Sequence, residues 1–361
     1  MQEHVASDPS TVAPTPSTAD DLVRAMRENG LDVSFQSALE AGARLHRHMA
    51  RARIISARMV ALHRSERIGS HVPSIGDEAV VAGAVLAMRD TDWVFPGPRE
   101  WYAALARGLP LGSFIHHAFG TAQDPAKGHA APGHVPARKL NIVPPSGVIG
   151  AHLPQAVGAA WAAKIAPAEG GKAGTLAALA LFGAEVASSG DFHNALNFAG
   201  VFKAPVVFVC RARPGDRIVD RAVAYGLASA RVDGGDALAM LSVVRAAVAR
   251  AQEGKGATLV EAVVPPLMGL DALDETSLSP GKVRDLGKDD PLRRLAQLLT
   301  RDKRIEPGAE DAIADEVSAE LDAAIAAAER TGAPAPSTIF DHVYAGVPAH
   351  LAAERQKLIG G

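Results

Sequence analysis

The 361-residue chain reads as an α/β protein: a parallel sheet covered by helices on both faces, with helical extensions at its N- and C-terminal ends. Two observations predict this class. Between residues 175 and 264, short continuous runs of Val, Ala and Leu alternate with amphipathic stretches of helical period. Strands that are apolar throughout belong to sheets buried on both faces. Apolar residues also make up 48% of the chain while aromatics make up only 4%, so the core must be filled by small aliphatic side chains, which suits close helix packing.

The elements follow in chain order. Residues 1–33 are expected to form an N-terminal arm. Residues 1–20 are rich in Ser, Thr, Pro, Asp and Ala and bury too little apolar surface to offset ordering entropy, so this part is read as flexible. From Phe35 to Arg67, Leu39, Leu45, Met49, Ile54, Ile55, Met59 and Leu62 recur at helical steps. A second helix is expected near Asp77, with Val81, Ala84, Val85 and Met88 on its apolar face. Pro96 and Pro98 interrupt the chain before a helical stretch over Arg99–Arg107. His116 and His117 are expected on a partly exposed helix; adjacent helical residues point apart, which argues against a metal pair.

Residues 119–148 carry Gly120, Gly128, Gly133 and Gly147 and little periodicity. A loop of that length in a compact chain is usually functional or mobile. The segment Gly150–Lys164 is rich in small residues and permits tight helix approach. Strands are then expected over Thr175–Phe182, Pro205–Cys210, Ala230–Asp233 and Thr258–Val264. Helices are expected over Asp191–Phe202, Arg221–Ala230 and Ala237–Gln252, with Ser188 and Ser189 capping the first. Residues 265–289 read as loop. Leu292–Thr300 and Ala309–Arg330 read as amphipathic helices, and the segment GAPAPS reads as a hinge before the C-terminal tail. The expected division is an α/β domain over 34–303 and a C-terminal helical extension over 304–361.

Several function classes are excluded at this level. The 37 basic and 40 acidic residues leave a net charge of -3, so no basic excess points to nucleic acid. No apolar run reaches the roughly 18 residues of a membrane span. The start MQEHVASDPS has neither a basic n-region nor an apolar h-region, so no signal peptide is expected. The single cysteine, Cys210, rules out an intramolecular disulfide framework and a Cys-based zinc site, and fits a cytoplasmic location.

Ligands of parallel α/β sheets bind outside the carboxyl ends of the strands. Two such ends stand out: Gly183-Ala184-Glu185, and Arg211-Ala212-Arg213. The first offers a glycine turn ahead of a helix start, the second two guanidinium groups suited to phosphate. From these residues alone, an ordinary turn and a solvated arginine pair stand beside the anion-site reading.

Longer motifs narrow the choice. SIGDEAVVAG (74–83), PREWYAALARGLPL (98–111), KGHAAPGHV (127–135), SGVIGAHLPQAVGAAWAAKI (146–165), SGDFHNALNFAGVFKAPVVFVC (189–210), RVDGGD (231–236), TLVEAVV (258–264) and IFDHVYAGVPAHLAAERQ (339–356) occur in this order. Together they resemble the alpha subunit of the first component of 2-oxo acid dehydrogenase complexes, of branched-chain more than pyruvate type. The resemblance implies a thiamine diphosphate-binding fold and oxidative decarboxylation of a 2-oxo acid. It also implies a beta subunit in an α2β2 assembly, and transfer of the acyl group to a lipoyl-bearing second component. It places Arg99 and Arg211 on the diphosphate, Gly183 and Glu185 beside it, Ser146 and Ile149 near the pyrimidine side, and His134 at the family's loop histidine, the one catalytic candidate.

The chain departs from the family at the magnesium site. The carboxylate position is Ala184 and the amide position is Arg213; Glu185 replaces a glycine, and the loop after TLVEAVV has no histidine. Weak or absent magnesium-dependent binding of thiamine diphosphate is therefore expected. Three roles for the local charges stay open: Glu185 shifts into the metal position, Arg213 takes the cation's place, or Glu185, Arg211 and Arg213 pair with one another, which is the leading expectation. Beside the enzyme reading stands a non-catalytic homologue that keeps the fold and the beta-subunit interface.

Overall fold

Among the described residues, five parallel strands organise the chain: β1 (Trp93–Phe95), β2 (Ala178–Gly183), β3 (Val206–Ala212), β4 (Ala228–Asp233) and β5 (Thr258–Val263), in the spatial order β1-β2-β3-β5-β4. The computed structural model describes Leu31, residues 34–166, residues 176–264, Gly287 and residues 289–360. The expected arm, apart from Leu31, lies outside the described residues, as does Thr175 at the start of an expected strand. The expected loop 265–289 lies outside them too, apart from Gly287 and Asp289.

Side chains alternate across the sheet. Leu179, Leu181, Val207, Val209, Val232 and Val260 enter one buried cluster, while Ala178, Ala180, Phe182, Val206, Phe208 and Cys210 enter another on the opposite face. Both sets are apolar because both faces are covered, which is why the strands show no polar alternation in sequence.

The helices among the described residues are α1 (Gln36–Glu40), α2 (Gly42–Arg64), α3 (Glu78–Val85), α4 (Tyr102–Ala106), α5 (Leu111–Phe119), α6 (His152–Ile165), α7 (Gly190–Phe202), α8 (Ala237–Gln252), α9 (Pro291–Arg301), α10 (Ala309–Arg330) and α11 (Ala349–Gly360). Helices α6 and α7 cover the second face. Helices α3 and α8 cover the first, α2 packs on α3 and α9, and α10 lies outside on α2 and α5. All eight residues of α3 are buried, so it is a core helix rather than the one-sided helix its spacing suggests. At Gly83 an added Cβ would stand 2.7 Å from Met240 Cβ; only glycine lets α3 lie this close to α8.

Two elements differ from expectation. The helix expected over Arg221–Ala230 is a 3-10 helix over Ile218–Tyr225, ended by Gly226 at φ 67°, and β4 begins already at Ala228. A left-handed residue there releases the chain into the sheet, a turn that glycine makes without strain. Strand β1 was not expected; three residues at a sheet edge are too few to show a period.

Helices α2 and α10 run side by side and carry a ladder of ion pairs. Arg47 meets Glu316 at 2.5 Å, Arg51 meets Glu320 at 2.6 Å and Arg58 meets Asp322 at 2.5 Å, and just beyond the end of α2 Arg67 meets Glu329. These exposed pairs fix register more than they stabilise, at roughly 0–1 kcal/mol each. The energetic anchor lies inside. Arg53, on α2, donates from Nε and Nη2 to Glu78 on α3, at 2.8 and 3.1 Å, and from Nη1 to Asp290, the N-cap of α9, at 2.6 Å. All three residues are buried. Removing the cation leaves two buried carboxylates facing each other. Arg53→Met is expected to cost about 3–5 kcal/mol of unfolding free energy, measured by urea denaturation. A loss below about 1 kcal/mol would mean that the triad is not what joins α2, α3 and α9.

Candidate functional site

Gly183 ends β2 and pairs in register with Arg211 of β3, so the two strand ends found in the sequence lie side by side. Two guanidinium groups converge here. Arg99, in the 3-10 turn Pro98–Glu100 after β1, donates from Nε to Asp77 Oδ2 at 2.8 Å. Arg211 Nε approaches the same oxygen at 3.3 Å, and Arg211 Nη1 donates to Glu100 Oε1. One carboxylate oxygen thus serves both arginines.

Asp77 occupies the N-cap position of α3, yet its side chain makes no capping hydrogen bond. The carboxylate is turned toward the arginines instead of the helix amides. Glu100 is held from the other side: a Cβ on Gly97 would lie 2.5 Å from Glu100 Oε2, so glycine leaves the space the carboxylate fills. Buried His152, at the start of α6, binds the Leu181 carbonyl through Nε2 at 2.9 Å, tying that helix to the same strand end. Burial holds the His152 imidazole below its usual range, against the pull of the Leu181 carbonyl and Glu100.

Burial also pushes the Asp77 carboxyl above its ordinary value, with Arg211 and Arg99 opposing the rise and Glu100 and Glu78 adding to it. For Arg211, burial works against the charge, but Glu100, Asp77 and Glu185 outweigh it and keep the group cationic.

The expected pairing of Glu185, Arg211 and Arg213 with one another is corrected by this geometry. Arg211 takes Asp77 and Glu100, which approach from α3 and the turn after β1. Glu185 is exposed on the 3-10 helix Ala184–Ser188, with its carboxylate folded over Gly183. Arg213 lies exposed just beyond β3, and among the described residues its guanidinium forms no ion pair; only its backbone N–H donates to Asp216, at 2.7 Å. Asp77 and Glu100 were missed as site residues. The available signal was that guanidinium groups at a buried sheet end need carboxylates, and both acids stand in the motifs that carry the resemblance, GDEA and PRE.

The remaining candidates divide. Ser146 Oγ accepts from Val148 N–H at 3.0 Å, and Ile149 is 65% exposed. Their segment reaches the β2 end at Gly150, where an added Cβ would lie 2.9 Å from Ser189 Oγ. Ser189 caps α7 by accepting from Phe192 N–H, as expected. His134 is half-buried in the 119–148 loop, its Nδ1 3.2 Å from the Pro132 carbonyl; among the described residues no hydrogen bond or ion pair joins it to the arginine cluster.

His116 and His117 are both buried, correcting the expectation of partial exposure. They turn back onto the loop: His116 Nδ1 meets Thr121 Oγ1, and His117 Nδ1 meets Asp124 Oδ1, each at 2.8 Å. Asp124 also accepts from the N–H groups of Ala126 and Gly128, at 2.8 and 2.9 Å.

Among the described residues, no group of three His, Cys, Asp or Glu side chains is arranged to hold a metal ion, and no helix is long and apolar enough to cross a membrane.

Comparison with known proteins identifies the family of the chain as a whole. The family model for the dehydrogenase E1 component matches residues 46–337. The alpha subunit of 2-oxoisovalerate dehydrogenase from Bacillus subtilis (strain 168) is 32% identical over 335 residues, covering 88% of this chain and 98% of that protein. The mitochondrial alpha subunit from Mus musculus is 32% identical over 310 residues, covering 82% of this chain and 69% of its own. The Pseudomonas aeruginosa alpha subunit is 29% identical over 374 residues, covering 96% and 89%.

Asp124 organises the loop that carries His134. Burial opposes its charge, but the bonds from His117, Ala126 and Gly128 outweigh it and hold its carboxyl below the ordinary carboxylate value. Its ionised form therefore contributes stability above that ordinary value, and the contribution is lost as pH falls through the lowered one. Asp124→Asn is expected to cost about 1–3 kcal/mol and to speed protease cleavage within residues 119–148 at neutral pH. Unchanged cleavage would show that the loop is held by other contacts.

Proposed function

Because this chain belongs to the dehydrogenase E1 component family, we propose that it is the alpha subunit of a branched-chain 2-oxo acid dehydrogenase acting on 2-oxoisovalerate. The observation that carries this reading is the convergence of Arg99 and Arg211 on one anionic oxygen, outside the carboxyl ends of β2 and β3. The similar alpha subunits all bear the name of this activity, which favours the enzyme over a non-catalytic homologue.

The family implies thiamine diphosphate, and its two halves meet this site differently. The arginine pair fits the diphosphate, because the carboxylate oxygen it holds is an acceptor of the kind a phosphate presents. The described residues do not fit magnesium. A hard cation requires oxygen ligands, while the positions at the strand ends are Ala184 and the cationic Arg213. No step is therefore assigned to a metal.

When bound, the cofactor supplies the electron sink on which a 2-oxo acid loses carbon dioxide. The chain's own residues bind and orient it. Arg99 and Arg211 grip the diphosphate through planar guanidinium forks. Gly183 ends β2 beside them, its open face covered by the Glu185 carboxylate. Ser146 and Ile149, on the segment that Gly150 seats against α7, face the pyrimidine side, and His134 serves from the loop.

A beta subunit completes the site in an α2β2 assembly, and a lipoyl-bearing second component receives the acyl group. Exposed Val148 and Ile149 beside the strand ends, and Ile165, Phe198 and Val201 on the α6–α7 side, support a partner surface. The cytoplasmic location belongs to the same reading.

The test is turnover of 2-oxoisovalerate by the chain with its beta partner, thiamine diphosphate and an artificial electron acceptor. Arg99→Ala and Arg211→Ala are each expected to lower kcat/KM by about 10²–10³, as loss of a preorganised charge does. Absence of turnover in the unsubstituted assembly, with the cofactor bound, would defeat the reading.

A further inference from the structure

The charge balance at the strand ends is unlike that of a site built for a magnesium diphosphate. Arg99 and Arg211 share Asp77 Oδ2, and Arg211 is also held by Glu100, so both cations are already neutralised from within the chain. The cluster is still open to solvent on its arginine side: the side chains of Arg99 and Arg211 are 29% and 16% exposed, that of Asp77 only 8%. A third guanidinium, that of Arg213, stands exposed beyond β3 with no ion pair among the described residues. In the reading above, its place belongs to an oxygen ligand of the metal.

We propose that Asp77 is a built-in counter-anion: a diphosphate binds by taking its place on the Arg99–Arg211 pair, and Arg213 supplies the further positive charge in place of a divalent cation. The inference rests on the alpha-subunit reading for the position of the diphosphate. Phosphate and carboxylate oxygens accept from the same guanidinium forks, so the exchange keeps every arginine paired. The displaced carboxylate also has somewhere to go. Helix α3 starts at Asp77 without a side-chain cap, and its first-turn amides are the acceptor-seeking groups an aspartate at that position satisfies. The exchange moves the Asp77 carboxylate from the arginines, which it holds when the site is free, toward the uncapped start of α3.

The experiment is calorimetric titration of the full chain, alone and with its beta partner, with inorganic pyrophosphate in magnesium or in a chelator. The unsubstituted protein is expected to bind equally well in both. Asp77→Asn is expected to bind about tenfold tighter or more, since it removes the competing charge, and Asp77→Glu no tighter than the unsubstituted chain. Arg213→Gln is expected to bind about tenfold more weakly. Asp322→Asn makes the same charge change at the exposed Arg58 pair and is expected to leave affinity unchanged.

Affinity that requires magnesium, or an Asp77→Asn chain that binds no tighter, would overturn the proposal. Asp77→Gln replaces Asp77→Asn if the latter does not fold, and if neither folds, the magnesium comparison and the Asp77→Glu and Arg213→Gln titrations decide. Failure to decarboxylate 2-oxoisovalerate defeats the alpha-subunit reading; unchanged pyrophosphate affinity at Asp77 defeats only the counter-anion.

Discussion

Buried charge must be paired, and in this chain that constraint meets at two consecutive residues. Asp77 and Glu78 open α3 and face opposite ways. Glu78 joins Arg53 and, through it, Asp290 at the start of α9. Asp77 joins Arg99 and Arg211 at the strand ends. One network is buried and ties three helices together; the other is half-open and lies where ligands of this fold bind. Leaving either cation or either carboxylate alone would cost several kcal/mol, so the position of α3 fixes both together.

The small side chains of the core follow from the same geometry. A helix buried on all sides, as α3 is, must approach its neighbours closely, and Gly83 against α8 shows how closely. The chain meets this with Ala, Val and Gly in place of aromatics, whose share is 4%. The few aromatic groups divide between the core, where Phe114, Phe182, Phe192 and Phe208 are buried, and helix seams, as where Trp161 of α6 stacks on Phe202 of α7 with ring centroids 4.2 Å apart. Tight packing keeps the strand ends rigid, and a rigid frame is what holds two arginines on one oxygen.

Function and stability therefore draw on overlapping groups. Glu100 is confined by Gly97 and paired to Arg211, and His152 binds the Leu181 carbonyl close to the same end of β2. The cluster pairs Arg99 and Arg211 without a ligand, so the chain folds around it with both cations matched. A ligand then enters by exchange of partners rather than by filling a vacant positive pocket. That physical difference follows from placing a carboxylate at position 77.

The sequence by itself determined the strand and helix alternation, the double-sided cover of the sheet, the spans of α8 and α10, the capping role of Ser189 and the two strand ends that the structure sets side by side. These are local: an apolar run, a helical period or a capping residue acts within a few positions of itself. Ordered motifs carried the family. Only the tertiary structure decided which charges meet. Arg99 reaches Asp77 across 22 positions and Arg211 reaches Glu100 across 111, and no period or spacing encodes such a pair. It likewise decided that His116 and His117 are buried against their own loop, and that residues 218–225 form a 3-10 turn feeding an edge strand. Partners of buried polar groups come from whichever elements the packing brings together, and a linear pattern does not contain that information.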